Sequence, residues 1–275
     1  YSKHDTNFWK TPSELRNQFE SLDIECIRNE EEETITDKQQ ITDRLGRHYK
    51  KLATMLVDLG SFETFKPIIK HADCCDLLDK DITTEEVSEV IDALGNDKAP
   101  GPDDGIPGEL YKALKDNIVD HIADLFNLIM FTGEIPQQFR IGEIVSLYKK
   151  DDKLDVNNYR GIMLLSILGK IFNYVLNKRI TRYCVTEKIL YESQNGFLPF
   201  RGTIQHIFAL QEMITQMLNA GETPYLFFLD LSKAFDTINR EELFSRIRKN
   251  GIPPKMLRII KIIFKKTKAR ARLST

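Results

Sequence analysis

Apolar side chains recur at every third or fourth position over much of the chain, and this spacing predicts amphipathic helices. One such stripe begins after Asp37 and ends at Gly60. Another follows the capping pair Thr83 and Glu86 and stops before Gly95. Further helices are predicted near residues 11–22, between Pro107 and about residue 132, and over 167–183, 203–218, 240–249 and 254–264.

Shorter stretches have the character of strands. Residues 141–149 and 159–165 flank a polar turn and predict a β-hairpin with basic residues near its tip. Residues 225–229 are aromatic and aliphatic and lead into Asp230, which predicts an apolar strand ending on a carboxylate. Residues 268–273 alternate basic and apolar side chains, as a half-buried strand does. The chain is therefore expected to have an α+β fold.

Two segments are predicted to be loops. Residues 98–107 contain three prolines and two glycines, which remove backbone donors and permit only turns. Residues 193–202 form the second loop, between two predicted helices.

Composition narrows the class of protein. Hydrophobic residues make up 41% of the chain and charged residues 29%, which is typical of globular domains and excludes a mainly disordered chain. The four cysteines have no repeated spacing, which argues against a disulfide framework and favours reduced, intracellular thiols. The longest apolar runs are far shorter than the ~20 residues of a membrane helix, so we expect a soluble protein. Because the first residue is Tyr, we expect a processed N-terminus or a piece of a longer protein.

Charge is distributed unevenly although the net charge is only −2. Residues 1–100 hold 13 basic and 22 acidic side chains, whereas residues 240–275 hold 12 basic and 2 acidic ones. The basic C-terminal part favours a polyanion as its partner, and a solvated helix face is the alternative.

Asp230 is the most specific candidate for a metal ligand, because a carboxylate at the end of an apolar strand suits a hard cation such as Mg²⁺. A strand-terminating aspartate is the ordinary alternative. His71, Cys74 and Cys75 are a weaker candidate for zinc, since no second pair has matching spacing.

Residues 227–241, which contain Asp230, resemble the first metal-binding motif of non-LTR (LINE-type) reverse transcriptases. Three further segments resemble the same family in the same order, and four ordered motifs are far more specific than one. They are the loop 98–107, the hairpin 143–165 and the loop 193–203. The Tyr-Arg-Gly-Ile variant at 159–162 and the Arg-Gly-Thr variant at 201–203 are similar to the RTE/BovB branch.

This resemblance, which covers about residues 95–275, implies a partial right-hand polymerase. Its parts would be a helical N-terminal extension over 1–80, fingers over 81–220 with the hairpin 141–165, and the start of the palm over 221–275. The implied partners are an RNA template, a DNA primer and a dNTP, with Mg²⁺ as cofactor and no membrane. A nuclear location is implied as well, and the oligomeric state is left open.

The resemblance also implies roles for single residues. Asp230 would be the catalytic carboxylate and a ligand of two Mg²⁺ ions, with the Leu231 carbonyl completing the shell of one. Lys149 and Arg160 would neutralise the triphosphate, with a solvated hairpin tip as the alternative reading. Phe235 would lie under the sugar and exclude ribonucleotides, although an ordinary core phenylalanine fits the pattern too. Arg201 would contact nucleic acid.

The sequence departs from the family pattern in three places. The proline-rich loop has an extra aspartate at Asp103 or Asp104. Leu198 and Phe200 stand where the family usually has Arg and Gly. The paired aspartates that supply the other metal-binding carboxylate are absent, because no Asp-Asp follows residue 152 and no acidic residue follows Glu242.

The third departure decides what we expect of the chain by itself. With one carboxylate ligand, these 275 residues do not complete a two-metal site, so we expect no DNA polymerisation by the chain alone. Two alternatives are a non-catalytic nucleic-acid-binding module and a retroelement relic without function.

Overall fold

The computed structural model describes residues 24–54, 78–102, 105–231, 234–235, 238–265 and 267–273. The helices are α1 (Lys38–Thr54), α2 (Thr84–Asp92), α3 (Gly108–Ala113), α4 (Lys115–Thr132), α5 (Ile167–Thr186), α6 (Thr203–Asn219), α7 (Arg240–Lys249) and α8 (Pro254–Phe264). The strands are β1 (Ile27–Arg28), β2 (Thr34–Ile35), β3 (Ile141–Tyr148), β4 (Tyr159–Leu165) and β5 (Lys268–Arg272). This mixture of helices and strands is α+β, as the sequence predicts.

Helix boundaries follow local chemistry closely. Thr83 and Glu86 form the predicted capping box at the start of α2. Gly133 ends α4 with a φ of 78°, a left-handed conformation that glycine adopts without strain. Asn239 accepts hydrogen bonds from the backbone amides of Glu241 and Glu242 and so caps the start of α7.

A three-stranded sheet with the strand order β4-β3-β5 holds the predicted hairpin. β3 and β4 pair antiparallel, and Leu147 lies opposite Arg160. β5 pairs parallel to β3, with Glu143 opposite Arg270. The hairpin and the last strand are therefore confirmed. β1 and β2 form a separate two-stranded ribbon.

The described residues fall into two compact units. The first contains residues 24–54, 82–172 and 259–273, and the second contains 78–81 and 173–258. The chain passes from one unit to the other within α5 and again within α8. The two units are defined by where contacts within the chain are dense. They do not test the division into extension, fingers and palm, which stays a prediction.

Each unit has its own buried residues. In the first, α2 contacts α4, and the rings of Phe126 and Phe172 lie 5.0 Å apart between centroids. A second cluster of the same unit consists of Ile24, Ile27, Ile41, Leu45 and Val156. In the second unit, Tyr183 is buried and donates its hydroxyl to the backbone oxygen of Asn250 at 3.0 Å.

The predicted strand before Asp230 is not formed. Residues 222–231 have no regular secondary structure, and the aromatic rings of Tyr225, Phe227 and Phe228 are exposed. No strand in the described part of the chain pairs with this segment, so its backbone groups have no ladder to join. The apolar stripe of α6 is likewise uncovered, since none of its residues is buried.

Several predictions fall outside the described residues. These are the helix near 11–22, the end of the first long helix beyond residue 54, the cluster of His71, Cys74 and Cys75, and the extra aspartate at 103 or 104. Among the helices that are described, none combines the length and the apolar character needed to cross a membrane.

Candidate nucleotide and nucleic-acid site

Two cations lie at the closed end of the hairpin in the first unit. Lys149 directly follows β3, and its backbone amide donates to the Asn158 oxygen at 2.8 Å. Arg160 is the second residue of β4, and both side chains are exposed. Neither has an ion-pair partner in the part of the chain that the structure describes. The hairpin therefore presents an ammonium and a guanidinium group to solvent at its closed end.

Tyr49 of α1 packs against one face of this hairpin. Its hydroxyl lies 2.8 Å from the Ser146 Oγ, and a Cβ at Gly161 would lie only 2.7 Å from its ring. Burial raises the pKa of the Tyr49 hydroxyl, while the Ser146 hydrogen bond acts in the opposite direction. Glycine in the Tyr-Arg-Gly sequence is thus required because the α1 ring packs against the strand. Because successive residues of a strand alternate between faces, Arg160 lies on the face opposite to Tyr49.

The proline-rich loop is anchored at the other end of β4. A Cβ at Gly101 would lie 2.5 Å from the Cα of Ser166 and 2.8 Å from the carbonyl carbon of Leu165. Only glycine permits so close an approach of two backbone segments. The described part of the loop has no helix or strand, as predicted, and it packs closely against the end of β4.

One buried carboxylate was missed by sequence reasoning. Glu143 of β3 is 7% exposed and binds two arginines of β5. Arg270 donates through Nε at 2.7 Å and lies at 2.6 Å through Nη2, and Arg272 donates through Nη1 at 3.0 Å. A glutamate within an apolar strand and the alternating arginines of 268–272 were the available signals. Their pairing depends on a parallel contact that no local pattern reveals.

In the second unit, Asp230 is exposed within the irregular segment, and Leu231 is exposed beside it. The described residues contain no group of three or more His, Cys, Asp or Glu side chains that could hold a metal ion. Mg²⁺ is bound in proteins by near-octahedral oxygen ligands, often one or two carboxylates with water and phosphate oxygens. One carboxylate and one carbonyl fit part of a magnesium site and do not complete a two-metal site.

Phe235 and Phe197 meet in the same unit. Their rings are 6.0 Å apart between centroids and nearly perpendicular, at 89°. Both rings are exposed, so Phe235 is not a core phenylalanine. An edge-to-face pair of this kind is favourable by about 0.5–1.5 kcal/mol when buried, and by less in water.

Arg201 organises the loop that carries Phe197. Its Nη1 donates to the backbone oxygens of Glu192 and, at 3.0 Å, Gln194. The guanidinium group is exposed beyond these two contacts. Arg201 therefore closes the loop on itself and presents its remaining edge to solvent.

The predicted site residues are distributed over both units. Lys149 and Arg160 lie in the first unit. The residues of the second unit are Arg201, Asp230, Leu231 and Phe235. The structure places the two hairpin cations at the same end of the hairpin, and it brings Phe235 to the Arg201 loop through Phe197.

Comparison with known proteins identifies the class of this domain. Residues 148–274 match the family model described as reverse transcriptase (RNA-dependent DNA polymerase). The match begins at the end of β3 and includes the hairpin cations, the loop before α6, Asp230 and β5. This part of the chain is therefore a reverse transcriptase domain.

Similar proteins place the domain among those of non-LTR retrotransposons. The chain is 27% identical over 252 residues to the probable RNA-directed DNA polymerase from transposon BS of Drosophila melanogaster, which covers 88% of this chain and 27% of that protein. It is 29% identical over 182 residues to the RNA-directed DNA polymerase from mobile element jockey of the same species, covering 66% and 20%.

A third relative has a higher identity over a shorter stretch. The probable RNA-directed DNA polymerase from transposon X-element of Drosophila melanogaster is 32% identical over 155 residues, covering 56% of this chain and 17% of that protein. The chain thus spans about a quarter or less of the length of these relatives.

Proposed function

We propose that this domain binds nucleotide and template in an RNA-directed DNA polymerase, which transfers the nucleotidyl group of a dNTP to the 3′ hydroxyl of a DNA primer on an RNA template and releases pyrophosphate. The reverse transcriptase match over residues 148–274 supports this assignment. So does the similarity to the RNA-directed DNA polymerases named for transposon BS and mobile element jockey. The fold would be part of a right-hand polymerase, with the hairpin in the fingers and the segment around Asp230 in the palm.

The observation that carries the proposal is the pair of exposed cations on the hairpin. Leu147 lies opposite Arg160, and Tyr148 lies opposite Tyr159, so Lys149 is the next residue along the same end of the sheet. A triphosphate is a compact polyanion, and it is bound well by an ammonium group beside a planar guanidinium group. No carboxylate pairs with either cation in the residues that the structure describes, so both are available for phosphate.

The other roles are proposals of the same kind. Asp230 would be the catalytic, magnesium-binding carboxylate with the Leu231 carbonyl as a further ligand, and bound Mg²⁺ would neutralise charge that develops on phosphate oxygens. Phe235 would lie under the sugar, supported by its edge contact with Phe197. Arg201 would contact nucleic acid with the edge that the loop leaves exposed.

Three finer assignments rest on sequence alone. We assign the domain to the RTE/BovB branch because of the Tyr-Arg-Gly-Ile and Arg-Gly-Thr variants. The division into an N-terminal extension over 1–80, fingers over 81–220 and the start of the palm over 221–275 remains a proposal. A nuclear location rests on the same resemblance and stays a prediction.

Nucleotide binding by the purified chain tests the proposed role of the hairpin. We expect a fluorescent dNTP analogue to bind more tightly than the matching dNMP. Replacing both cations, Lys149→Gln with Arg160→Gln, should weaken dNTP binding by about tenfold, because two charge-assisted phosphate contacts are lost at a solvent-exposed site. Binding of the dNMP should change little.

The matched control is Lys50→Gln with Lys51→Gln, which removes two exposed cations from α1. It should bind the dNTP as the wild type does. Equal dNTP affinity in the hairpin variant and the wild type would show that the hairpin does not bind the triphosphate, and would contradict the proposal.

A further inference from the structure

The turn that closes the hairpin is held by hydrogen bonds of its own. We call residues 149–158 the hairpin turn, which begins with Lys149 and ends directly before β4. The Asn158 side chain reaches across it and donates to the Asp152 backbone oxygen at 2.9 Å. The Asp152 carboxylate accepts from the Leu154 amide, also at 2.9 Å. The chain between the two hairpin cations therefore has a defined conformation.

Two tyrosines at the ends of the strands bind the backbone of the hairpin turn. The Tyr148 hydroxyl donates to the Asp151 oxygen, and the Tyr159 hydroxyl donates to the Lys153 oxygen at 2.7 Å. The two rings meet edge to face, with their centroids 5.8 Å apart. Because the turn and the strand ends form one hydrogen-bonded structure, a shift of the turn also shifts the backbone that carries the two hairpin cations.

The ribbon of β1 and β2 attaches to the hairpin turn through Arg28. The Arg28 backbone amide donates to the Leu154 oxygen at 2.8 Å, and its Nη1 lies 2.8 Å from the Asp152 Oδ2. The Arg28 and Asp152 side chains are 38% and 45% exposed, so the ion pair is partly shielded from solvent. Glu32 is a weaker second partner, at 3.8 Å from the Arg28 Nε. One residue of the ribbon thus binds both the backbone and a side chain of the turn.

Buried apolar contacts support the same attachment. Val156 of the hairpin turn is 2% exposed and packs with Ile27 of β1 and with Ile41 and Leu45 of α1. Tyr159 is partly buried against this cluster. The ribbon and α1 therefore bury one side of the hairpin turn, while the two hairpin cations remain exposed.

We propose that Arg28 is a positioning residue for the triphosphate site, which holds the hairpin turn so that Lys149 and Arg160 meet the phosphates in a fixed arrangement. The proposal rests on the proposed function, which assigns the triphosphate to these two cations. Arg28 acts through Asp152 and the turn, and its guanidinium group is bound to that carboxylate. Groups that are already in position lose less entropy when they bind a ligand, so the attachment raises affinity without contacting the ligand.

Charge and position make opposite predictions for the two partners of the ion pair. If Arg28 merely adds positive charge near the phosphates, removing it weakens dNTP binding, and removing the Asp152 charge strengthens it. If the ion pair holds the turn, removing either partner weakens dNTP binding. Asp152→Asn keeps an oxygen that can accept from the Leu154 amide, so it tests the ion pair and leaves the local turn intact.

Binding of the fluorescent dNTP analogue to the purified chain separates these cases. We expect the dissociation constant to rise about three- to fivefold in Arg28→Gln and by a similar factor in Asp152→Asn, as for the loss of one partly exposed ion pair. The double variant should resemble either single variant, because both remove the same contact. Arg28→Lys should recover part of the loss, since an ammonium group can also pair with Asp152.

Hydrogen exchange gives a readout that does not depend on nucleotide. In Arg28→Gln and Asp152→Asn, a peptide over residues 149–158 should exchange about two- to fivefold faster, while α4 exchanges as in the wild type. The matched control is Arg47→Gln, which removes an arginine of α1 whose carboxylate partner is Glu30, at 3.7 Å. It should leave both the exchange of the turn and the dNTP affinity unchanged.

Three results would overturn the positioning role alone. The first is tighter dNTP binding in Asp152→Asn together with weaker binding in Arg28→Gln, which is the signature of charge. The second is weaker binding in Arg28→Gln with unchanged exchange of the turn, because the turn would then not have moved. The third is wild-type affinity in Arg28→Gln when Lys149→Gln with Arg160→Gln binds weakly, because the hairpin would then bind the triphosphate without the ribbon.

The proposed function is tested separately by the hairpin variant. Wild-type dNTP affinity in Lys149→Gln with Arg160→Gln would contradict the triphosphate site itself, and the positioning role with it. Faster exchange of the turn in Arg28→Gln would then show only that the ribbon stabilises the hairpin.

Discussion

Phe200 has a backbone conformation that residues other than glycine rarely adopt. Its φ is 61°, in the left-handed region, and its ring is 99% exposed. A left-handed residue with a Cβ costs about 1–2 kcal/mol relative to the right-handed conformation. The ring has almost no contact that would offset this cost. The sequence departs from the family pattern at this very position, where glycine is usual.

Replacing Phe200 by glycine should therefore make the loop more stable. The relief of strain exceeds the backbone entropy that glycine adds, for a net gain of about 0.5–1 kcal/mol. Hydrogen exchange of a peptide over residues 193–202 should slow by about two- to fivefold, if the loop opens locally.

Two variants separate strain from the loss of an aromatic ring. Phe200→Ala keeps a Cβ and should exchange at about the wild-type rate. Phe227→Gly removes another exposed ring where φ is negative, and should give no protection to its own segment. Faster exchange in Phe200→Gly than in the wild type would mean that the ring stabilises the loop.

The positions of some site residues could be predicted from the sequence, and the contacts of others could not. Lys149 and Arg160 were predicted correctly at the end of a hairpin, because the hairpin has a local signal in its polar turn. The exposed edge contact between Phe197 and Phe235 was not predictable. It joins residues 38 positions apart, through a loop without regular structure.

At the scale of elements, the side chain of Glu143 links β5 to β3 in addition to their backbone pairing. Burial raises the pKa of the Glu143 carboxyl, the hydrogen bonds from Arg272 and Arg270 lower it, and the net pKa lies below its usual value. A carboxyl of this kind stabilises the fold at pH above its unfolded pKa of about 4.3. That contribution is lost as the pH falls through the folded value.

The variant Glu143→Gln should remove this pH dependence. At pH about 7 it should be less stable than the wild type by about 1–2 kcal/mol, since both arginines are half-exposed and water screens their unpaired charges. The difference should shrink as the pH falls below about 4, where the wild type loses its own carboxylate. Urea unfolding at a series of pH values measures both quantities.

Glu212→Gln is the control, because Glu212 lies on an exposed position of α6. It should follow the wild-type profile at every pH. A constant difference between Glu143→Gln and the wild type down to pH about 3 would show that the arginine contacts do not depend on the carboxylate's charge.

Elements with local signals were predicted well, and elements that need a distant partner were not. The capping box at Thr83 and the left-handed Gly133 fix helix ends through neighbouring atoms alone. The parallel position of β5 beside β3 required a contact between residues 127 apart, such as Glu143 and Arg270. The apolar run 225–229 was wrongly predicted as a strand for the same reason. Apolar character favours a strand only where another strand accepts its hydrogen bonds.

At the scale of the whole molecule, the described residues supply only part of a two-metal site. The described residues offer Asp230 and the Leu231 carbonyl, and no cluster of three potential ligands occurs among them. The purified 275-residue chain should therefore show no Mg²⁺-dependent primer extension on an RNA template. Gel analysis of a labelled primer measures this directly.

Appreciable extension that Asp230→Ala abolishes would contradict this expectation and establish a complete site in the chain. Asn195→Ala is a suitable control, since it changes a half-buried loop residue outside the proposed metal site. It should leave any extension unchanged. Extension that survives Asp230→Ala would point to a contaminating polymerase.

Because β5 pairs with β3 from far along the chain, β3 is synthesised long before its partner strand exists. β3 leaves the ribosome more than a hundred residues before its partner strand, and the whole 173–258 segment is made in between. Throughout that interval β3 has one open edge, and the Glu143 carboxylate has neither arginine. An unpaired strand edge is a template for association with other chains. The nascent protein is thus most vulnerable to aggregation while its second unit is being translated, and the arrival of residues 268–272 ends that exposure.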